Sequence, residues 1–185
     1  MTESELVEAC LKKDRSAQKQ LYDRYSRQMM SVCLRYGGNV ETAQDMLQEG
    51  FIVVFEKLWQ YKEEGALGGW IRRVIVTSAL ENLRKNKKHD MTEEIIDHAS
   101  SMDVDPQALQ DLAIESLMKL IQEMPIGYRT VFNMFAIEGF SHKEIAESLN
   151  ITESTSKSQY FKAKAFLRLQ LEQQENREFE RRSNT

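Results

Sequence analysis

Residues 139–171, GFSHKEIAESLNITESTSKSQYFKAKAFLRLQL, decide the fold of the second half of the chain. Ser141, followed three residues later by Glu144, predicts a capping box at the start of a short helix. Asn150 comes where the chain must reverse, and asparagine tolerates the left-handed backbone conformation that ends many helices. Thr152 can then cap a second helix. The stretch therefore predicts two helices that meet at a tight turn.

The second of these helices combines an apolar stripe with basic residues. Apolar side chains recur at helical spacing from Tyr160 to Leu171, which directs most of the basic residues toward solvent. These basic residues are Lys157, Lys162, Lys164 and Arg168. A short apolar helix, a tight turn and a basic helix are typical of a helix-turn-helix that reads DNA. The alternative is an ordinary helical hairpin with solvated lysines, and we favour the DNA-reading interpretation.

The composition of the whole chain indicates an all-α protein. Of its 185 residues, 41% are hydrophobic and 29% are charged, and only two are prolines and eight are glycines. Cys10 and Cys33 are too few for a disulfide scaffold or a zinc site, so we expect them to pack between helices in a reducing compartment. The N-terminus does not resemble a signal peptide, and the longest apolar run, Phe51–Phe55, is too short to span a membrane. We therefore expect a cytoplasmic protein without membrane insertion.

Periodicity and charge divide the chain into two small helical domains joined by a flexible acidic linker. Apolar spacing predicts about four helices in residues 1–88. Residues 89–105 lack periodicity, are acidic and contain no aromatic residue, as expected for a linker. An Asp-Pro pair opens the second domain, residues 106–172, with a helix that runs to Pro125. The polar tail, residues 173–185, is expected to fray.

The distribution of charge is more informative than the total of −4. Residues 70–88 contain six basic residues and one acid, and residues 157–168 contain four basic residues and no acid. Local basic patches of this kind can attract phosphate whatever the net charge of the chain. The overall negative charge should weaken non-specific DNA binding, which suits a protein that reads DNA with the help of a partner.

The second basic stretch, Trp70–Lys88, follows a glycine-rich turn at residues 62–69. An aromatic residue beside a turn, followed by a basic helix, can stack on an unpaired base and hold phosphates. The alternative is that Trp70 belongs to the core and the arginines are solvated. For this stretch alone the alternative is favoured, because many helices are basic at their C-terminal ends.

A third candidate surface is polar and partly acidic. Asp45 lies three residues before Gln48 and four before Glu49, so that the three side chains share one helix face. The cluster is either a docking surface for a basic partner or a solvated face, and spacing does not separate the two.

The sequence offers little support for an enzyme. It contains no phosphate-binding glycine-rich loop, no Gly-x-Ser-x-Gly elbow and no His-Glu-x-x-His motif. His89, His98 and His142 are scattered and none is spaced with cysteine as a metal ligand. We therefore expect no catalytic activity, metal or cofactor.

Taken together, four stretches resemble the extracytoplasmic-function (ECF) sigma factors, the two-domain members of the bacterial sigma family. They are AQDMLQEGF at residues 43–51, the helix over residues 70–85, residues 124–132, and the helix-turn-helix from residue 138 to residue 167. The resemblance covers about residues 5–172. It implies an alternative sigma factor that binds core RNA polymerase, through its clamp and flap, and directs promoter recognition and transcription initiation. An anti-sigma factor is a further partner that the family implies.

The same resemblance assigns residues to three surfaces. The residues implied at the −35 element are Ser154, Thr155, Lys157, Ser158, Gln159, Phe161, Lys162 and Lys164. Those implied at the −10 element, where a flipped base is captured, are Lys62, Leu67, Gly68, Trp70, Arg72, Arg73, Arg84 and Lys85. Those implied in polymerase binding are Asp45, Gln48, Glu49 and Phe51.

The chain also departs from the family pattern. Thr77 and Glu81 stand where the family commonly has Asn and Asp, so base contacts are not carried over to them. Ser156 replaces a usual valine, which removes an apolar staple to Ile151. Two alternatives stay open on the residues alone. One is a conventional helix-turn-helix regulator with a dimerisation or sensing domain, and the other is a helical adaptor that does not touch DNA.

Overall fold

The computed structural model describes residues 1–90 and 114–183, and every regular element in these two ranges is helical. The first range contains α1 (Glu3–Leu11), α2 (Arg15–Gly37), α3 (Val40–Lys57), a 3-10 turn (Leu58–Gln60) and α4 (Leu67–Asp90). The second contains α5 (Ile114–Glu123), α6 (Ile126–Phe132), a π-helical turn (Asn133–Ile137), α7 (His142–Leu149) and α8 (Glu153–Ser183). The chain forms two compact units, Met1–Met91 and Thr92–Thr185. The predicted all-α fold with a C-terminal helix-turn-helix is confirmed.

Part of the predicted organisation lies outside the described residues. Most of the acidic linker, residues 89–105, and the predicted helix start at Pro106 fall between residues 90 and 114. The boundaries of the linker and of the two domains therefore stay predictions.

Side-chain caps explain where the N-terminal helices begin and end. Thr2 and Glu5 form a capping box at α1, and the Asp14 carboxylate accepts the first free amides of α2. Gly38 ends α2 with φ of 79°, a conformation that glycine adopts without steric cost. Asn39 then accepts the amide of Thr42 at 2.8 Å and starts α3.

The core of the N-terminal unit lies between α2, α3 and α4. Its largest fully buried side chains are Leu6, Leu21, Met29, Tyr36, Met46, Leu58, Leu67, Ile71 and Ile75. Cys10 and Cys33 are buried free thiols that pack among the helices, as predicted. Helices α3 and α4 approach closely at Gly50, where an added Cβ would lie 2.5 Å from Cδ1 of Ile75.

Two predicted boundaries are wrong. The turn predicted at residues 62–69 ends earlier, because the carbonyl of Ala66 accepts the amides of Gly69 and Trp70 at 3.0 and 3.3 Å and so starts α4. At the other end of the chain, α8 continues to Ser183, whereas the tail from residue 173 was expected to fray.

The C-terminal unit is built on α5, α6 and α8. Its core contains Leu120, Ile121, Met124, Phe132, Ala163 and Leu167. Arg129 belongs to α6 and is 7% exposed. Its Nη1 atom donates to the carbonyls of Gln122 and Met124, at 2.8 and 3.3 Å. Both carbonyls are at the C-terminal end of α5, where no intrahelical partner remains for them. Burial lowers the pKa of Arg129, and arginine stays charged in proteins despite such a shift.

Arg129→Ala should therefore destabilise the C-terminal unit. The change removes a buried charged donor and leaves carbonyls without their partner, and we expect a loss of about 2–3 kcal/mol. Far-UV circular dichroism during urea unfolding reports both units, whereas tryptophan fluorescence reports only the N-terminal unit, since Trp59 and Trp70 are the only tryptophans. The dichroism transition should move to lower urea while the fluorescence transition stays in place. Exposed Lys119→Ala is the control, and equal stability of the two variants would contradict the capping role.

Candidate functional site

The two helices of the helix-turn-helix are bounded by caps, and a small cluster of polar and aromatic side chains lies between them. Ser141 and Glu144 form the predicted capping box of α7, and Asn150 ends it in the left-handed conformation with φ of 54°. Thr152 accepts the amide of Thr155 at 3.0 Å, which confirms it as the cap of α8.

Ser156 is fully buried in this cluster, and its Oγ lies 2.9 Å from Nδ1 of His142. The His142 ring stacks on Phe135 at 4.3 Å, and Tyr160 packs against Phe135 at 4.6 Å. The apolar staple that a valine would form at residue 156 is therefore replaced by a hydrogen bond from α8 to α7.

The outer face of α8 presents short polar and basic side chains. Ser154, Lys157 and Ser158 are exposed at i, i+3 and i+4, and half-buried Phe161 continues the same face. Lys157 forms an ion pair with Glu153, with 2.8 Å between Nζ and Oε1. This pair is exposed, so a phosphate can compete for the lysine at little cost.

The remaining basic residues of α8 lie beside this face. Lys162 is half-buried, and Nζ of half-buried Lys164 lies 5.2 Å from the centroid of the Tyr160 ring. The Thr155 hydroxyl is 2.8 Å from that of Thr152, so this residue serves the helix cap.

Gln159 is the exception on this helix. Its Oε1 atom is buried, and an added Cβ at Gly127 would lie 3.1 Å from it. The amide is therefore directed against the start of α6 and away from the exposed face. The structure does not support the predicted base contact by Gln159.

The second candidate surface is formed by residues 61–66 and by α4. The ring centroids of Tyr61 and Trp70 are 5.8 Å apart, with 51° between the ring planes. Trp70 is half-buried, so it is neither a core residue nor a fully exposed stacking surface. Lys62 is exposed in the loop. Along α4, exposed residues recur at Arg73, Thr77, Glu81, Arg84 and Lys85, and Arg72 is half-buried.

Three details limit which residues of this surface can touch DNA. Leu67 is fully buried at the first turn of α4, so the structure offers no support for its predicted contact with the −10 element, which stays a prediction. Gly68 lies against the ring of Tyr25, since an added Cβ would be 3.1 Å from Cε1. The Thr77 hydroxyl donates to the carbonyl of Arg73 at 2.9 Å, and this bond occupies its proton.

The third candidate surface is the outward face of α3. Asp45, Gln48 and Glu49 are all exposed and line a shallow cavity of about 400 Å³, together with Thr42, Ile52 and Asn82. Oε2 of Glu49 accepts a hydrogen bond from Nδ2 of Asn82 at 3.0 Å, which ties this face to α4.

Phe51 does not belong to that exposed face. It is 3% exposed and packs against Tyr22, with 4.7 Å between ring centroids. The outward surface of α3 is formed by its neighbours, so the structure offers no support for the predicted polymerase contact of Phe51, which stays a prediction.

Sequence reasoning missed two exposed apolar residues. Ile52 is 52% exposed and follows Gln48 by four residues on α3, so it shares the face of the acidic cluster. Trp59 is 70% exposed in the 3-10 turn that follows α3. Spacing relative to the acidic cluster could have revealed Ile52, because a large apolar residue in phase with exposed acids cannot also face the core. Exposed apolar side chains beside a polar rim are typical of protein interfaces.

The described residues contain no group of three His, Cys, Asp or Glu side chains that could hold a metal ion. In the same part of the chain, no helix has the length and apolar character needed to cross a membrane.

Comparison with known proteins identifies the family. The model of sigma-70 region 2 matches residues 21–89, and that of sigma-70 region 4 matches residues 114–167. The ECF RNA polymerase sigma factor SigM of Mycobacterium tuberculosis is 26% identical over 90% of this chain and 83% of its own. RNA polymerase sigma-H factor of Pseudomonas aeruginosa is 26% identical over 88% and 90%, and SigW of Bacillus subtilis is 26% identical over 86% and 91%.

The chain belongs to the ECF sigma factors. Among solved structures, the sigma factor RpoE of Bartonella quintana, in complex with the anti-sigma factor NepR, has a similar fold. Its TM-score is 0.50 at 16% identity, over 83% of this chain and 96% of the other. Membership makes this chain an alternative sigma factor that directs promoter recognition and transcription initiation. The alternative of a conventional helix-turn-helix regulator is set aside.

The cluster around His142 in this sigma factor predicts a dependence of stability on pH. Burial lowers the pKa of His142 below 6.5, and Lys157 lowers it further, while Glu153 acts in the opposite direction. Between this lowered value and 6.5 the unfolded chain binds more protons than the folded chain, so the free energy of unfolding falls as the pH drops through that window. The carboxylates of Glu144 and Glu153 have lowered pKa values and titrate below 4.5, outside the window.

The test compares the wild type with the double variant His142→Phe, Ser156→Val, which keeps the ring stack and removes the polar pair. Urea unfolding followed by circular dichroism should show that the wild type loses stability between pH 7.5 and pH 5.5 and that the variant loses less. Tryptophan fluorescence gives the change in stability of the N-terminal unit between the same two pH values. An equal pH dependence of the two proteins would rule out His142 as the source.

Proposed function

We propose that this sigma factor holds core RNA polymerase with the outward face of α3 and contacts a promoter at two points. One point is the exposed face of α8, and the other is the loop 61–66 with α4. The observation that carries the proposal is the difference in character between these faces. The face of α3 is acidic and apolar, whereas α4 and α8 carry basic side chains on their surfaces, so one chain can offer a different surface to each partner.

At the −35 element, α8 would enter the major groove. Its exposed serines are short enough to reach base edges, and Lys157, Lys162 and Lys164 would hold phosphates. A good bidentate base contact discriminates by about 1–3 kcal/mol. With so few candidate side chains on this face, α8 would tune the choice of promoter rather than determine it alone.

At the −10 element, an unpaired base would stack on the aromatic pair of Tyr61 and Trp70. Stacking of this kind contributes about 1–3 kcal/mol per base and can offset part of the cost of unpairing. Arg73, Arg84 and Lys85 are exposed on α4 and would neutralise phosphates of the same strand.

On α3 and the 3-10 turn that follows it, acidic and apolar side chains would contribute to polymerase binding in different ways. Asp45 and Glu49 would attract and orient a basic partner helix, whereas Ile52 and Trp59 would be desolvated in the complex. Promoter DNA and core polymerase as partners imply a cytoplasmic location. An anti-sigma factor is a further partner implied by the family resemblance.

Gel-shift and run-off experiments test the proposal directly. The free protein should bind promoter DNA weakly, and addition of core polymerase should produce tight binding and transcripts with a defined start site. Genomic fragments serve as templates, and mapped start sites give the promoter. Tight binding of duplex DNA by the free protein, with no effect of polymerase, would contradict the sigma mechanism.

Lys157→Ala with Lys162→Ala should weaken promoter binding by holoenzyme without changing the preferred −35 sequence. Two fewer phosphate contacts should lower the slope of log K against log salt concentration by roughly two, measured between about 50 and 200 mM salt. Lys119→Ala, an exposed lysine on α5, is the matched control for net charge. Unchanged promoter output in the double variant would favour the adaptor that does not touch DNA.

The two parts of the α3 face should respond differently to mutation. Asp45→Lys with Glu49→Lys should abolish binding to core polymerase and leave helix content intact by circular dichroism. Trp59→Ala should weaken binding by about 10- to 30-fold, through faster dissociation that depends little on salt. Leu11→Ala removes an exposed apolar side chain of α1, 47% exposed against 70% for Trp59, and should have no effect.

Binding kinetics over a range of salt concentrations measure both effects. Loss of helix content in the double lysine variant would mean that the acids are structural. If Trp59→Ala binds as the wild type does, the apolar part of the face is not in the interface.

A further inference from the structure

The loop at residues 61–66 is not free in this structure, although five of its six residues are exposed. The Tyr61 hydroxyl donates to the carbonyl of Gly65 at 2.6 Å and closes the loop on itself. Glu63 has φ of 58°, a left-handed conformation that is uncommon for a residue other than glycine. A residue held in this conformation requires contacts from its surroundings.

One such contact comes from α1, nearly sixty residues earlier in the chain. The exposed Ser4 hydroxyl donates to Oε2 of Glu63 at 3.0 Å. Ser4 is in the first turn of α1, whose start is fixed by the capping box of Thr2 and Glu5. The loop is therefore attached to a helix end that is itself well defined.

A second connection runs from α1 through Tyr25 to the start of α4. The Tyr25 hydroxyl donates to Oε1 of Glu3 at 2.8 Å, and Tyr25 is 8% exposed. Its ring packs against Gly68, two residues before Trp70. Burial and the neighbouring Glu3 carboxylate raise the pKa of Tyr25 to about 12, so its hydroxyl keeps the proton that it donates.

Both connections converge on the aromatic pair. Tyr61 packs on Trp70 from the loop side, and its pKa is raised by burial and by the charges of Glu3 and Glu63. The same two carboxylates would repel a phosphate that approached the loop here. This end of the surface therefore suits an uncharged base better than the sugar–phosphate backbone.

We infer that α1 is a positioning element for base selection at the −10 element, acting through Ser4 on Glu63 and through Glu3 on Tyr25. The inference rests on the proposed function of the loop and of Trp70. It assigns a task to a helix that has no predicted contact with DNA or polymerase. Ser4 and Tyr25 are positioning residues, because they act on the geometry of Tyr61 and Trp70.

The experiment uses full-length protein reconstituted with core polymerase. The probes are forked DNAs that carry the promoter found by run-off mapping, with a single-stranded non-template −10 segment and each of the four bases at each −10 position. The measured quantity is the ratio of Kd values between the worst and the best base. A helix that only stabilises the unit would change all Kd values together and leave this ratio unchanged.

Ser4→Ala combined with Tyr25→Phe should lower the ratio by about 3- to 10-fold, the effect expected from one or two hydrogen bonds. Affinity for core polymerase and for duplex −35 DNA should stay as in the wild type. Ser4→Thr keeps the hydroxyl donor, so Ser4→Thr combined with Tyr25→Phe should be more selective than Ser4→Ala combined with Tyr25→Phe. Glu8→Ala removes an exposed acid of α1 that pairs with Lys12 and should have no effect.

An unchanged ratio in the double variant, or an equal loss of affinity for every probe, would overturn the inference. A failure of the proposed function gives a different result, because wild-type holoenzyme would then show no preference among the bases. Tryptophan fluorescence during urea unfolding confirms that each variant retains the N-terminal unit.

Discussion

The contact between α3 and α4 at Gly50 is the constraint on which the N-terminal unit depends. An added Cβ at residue 50 would lie 2.5 Å from Cδ1 of Ile75 and 3.6 Å from its Cα, so a larger side chain would require the Ile75 side chain to repack between the two helices. Asn82 and Glu49 connect the same helices at the surface. Because α3 carries the proposed polymerase face and α4 carries the proposed −10 face, this packing sets the position of one face relative to the other. A sigma factor needs that relation to be rigid, since polymerase must present melted DNA to a site that is already in place.

In the helix-turn-helix, a polar contact fixes the position of α7 relative to α8. Where an apolar staple is usual, Ser156 is buried and bonded to His142 between aromatic rings. An apolar staple tolerates small shifts of one helix on the other, whereas a hydrogen bond is lost once its distance and angle change. The polar pair therefore specifies the crossing of α7 and α8 more narrowly, and burial of the ring lowers the pKa of His142.

Much of the fold was predictable because periodicity and caps act locally. The capping box at Ser141 and the left-handed Asn150 followed from residues three or four apart, and the apolar stripe of α2 is buried along its whole length. The differences arose where a side chain depends on distant residues. Gln159 turns inward because Gly127, thirty-two positions earlier, leaves room for its amide. Leu67 and Phe51 were placed on surfaces by motif, although α4 begins at Leu67 and the ring of Tyr22 covers Phe51. The exposure of Trp59 was missed, since a large apolar residue is normally assigned to the core.

Charge explains why such a protein should depend on its partner. The net charge of −4 opposes approach to DNA, and Lys157 of α8 is paired with Glu153. A phosphate contact of Lys157 therefore replaces an existing weak interaction, and its net gain is small. Core polymerase changes this balance without adding a single contact to α8, because a tethered domain searches DNA at a high effective concentration. Acidic residues on the free protein thus favour specificity: they suppress binding to random DNA, while promoter DNA held beside polymerase is still bound.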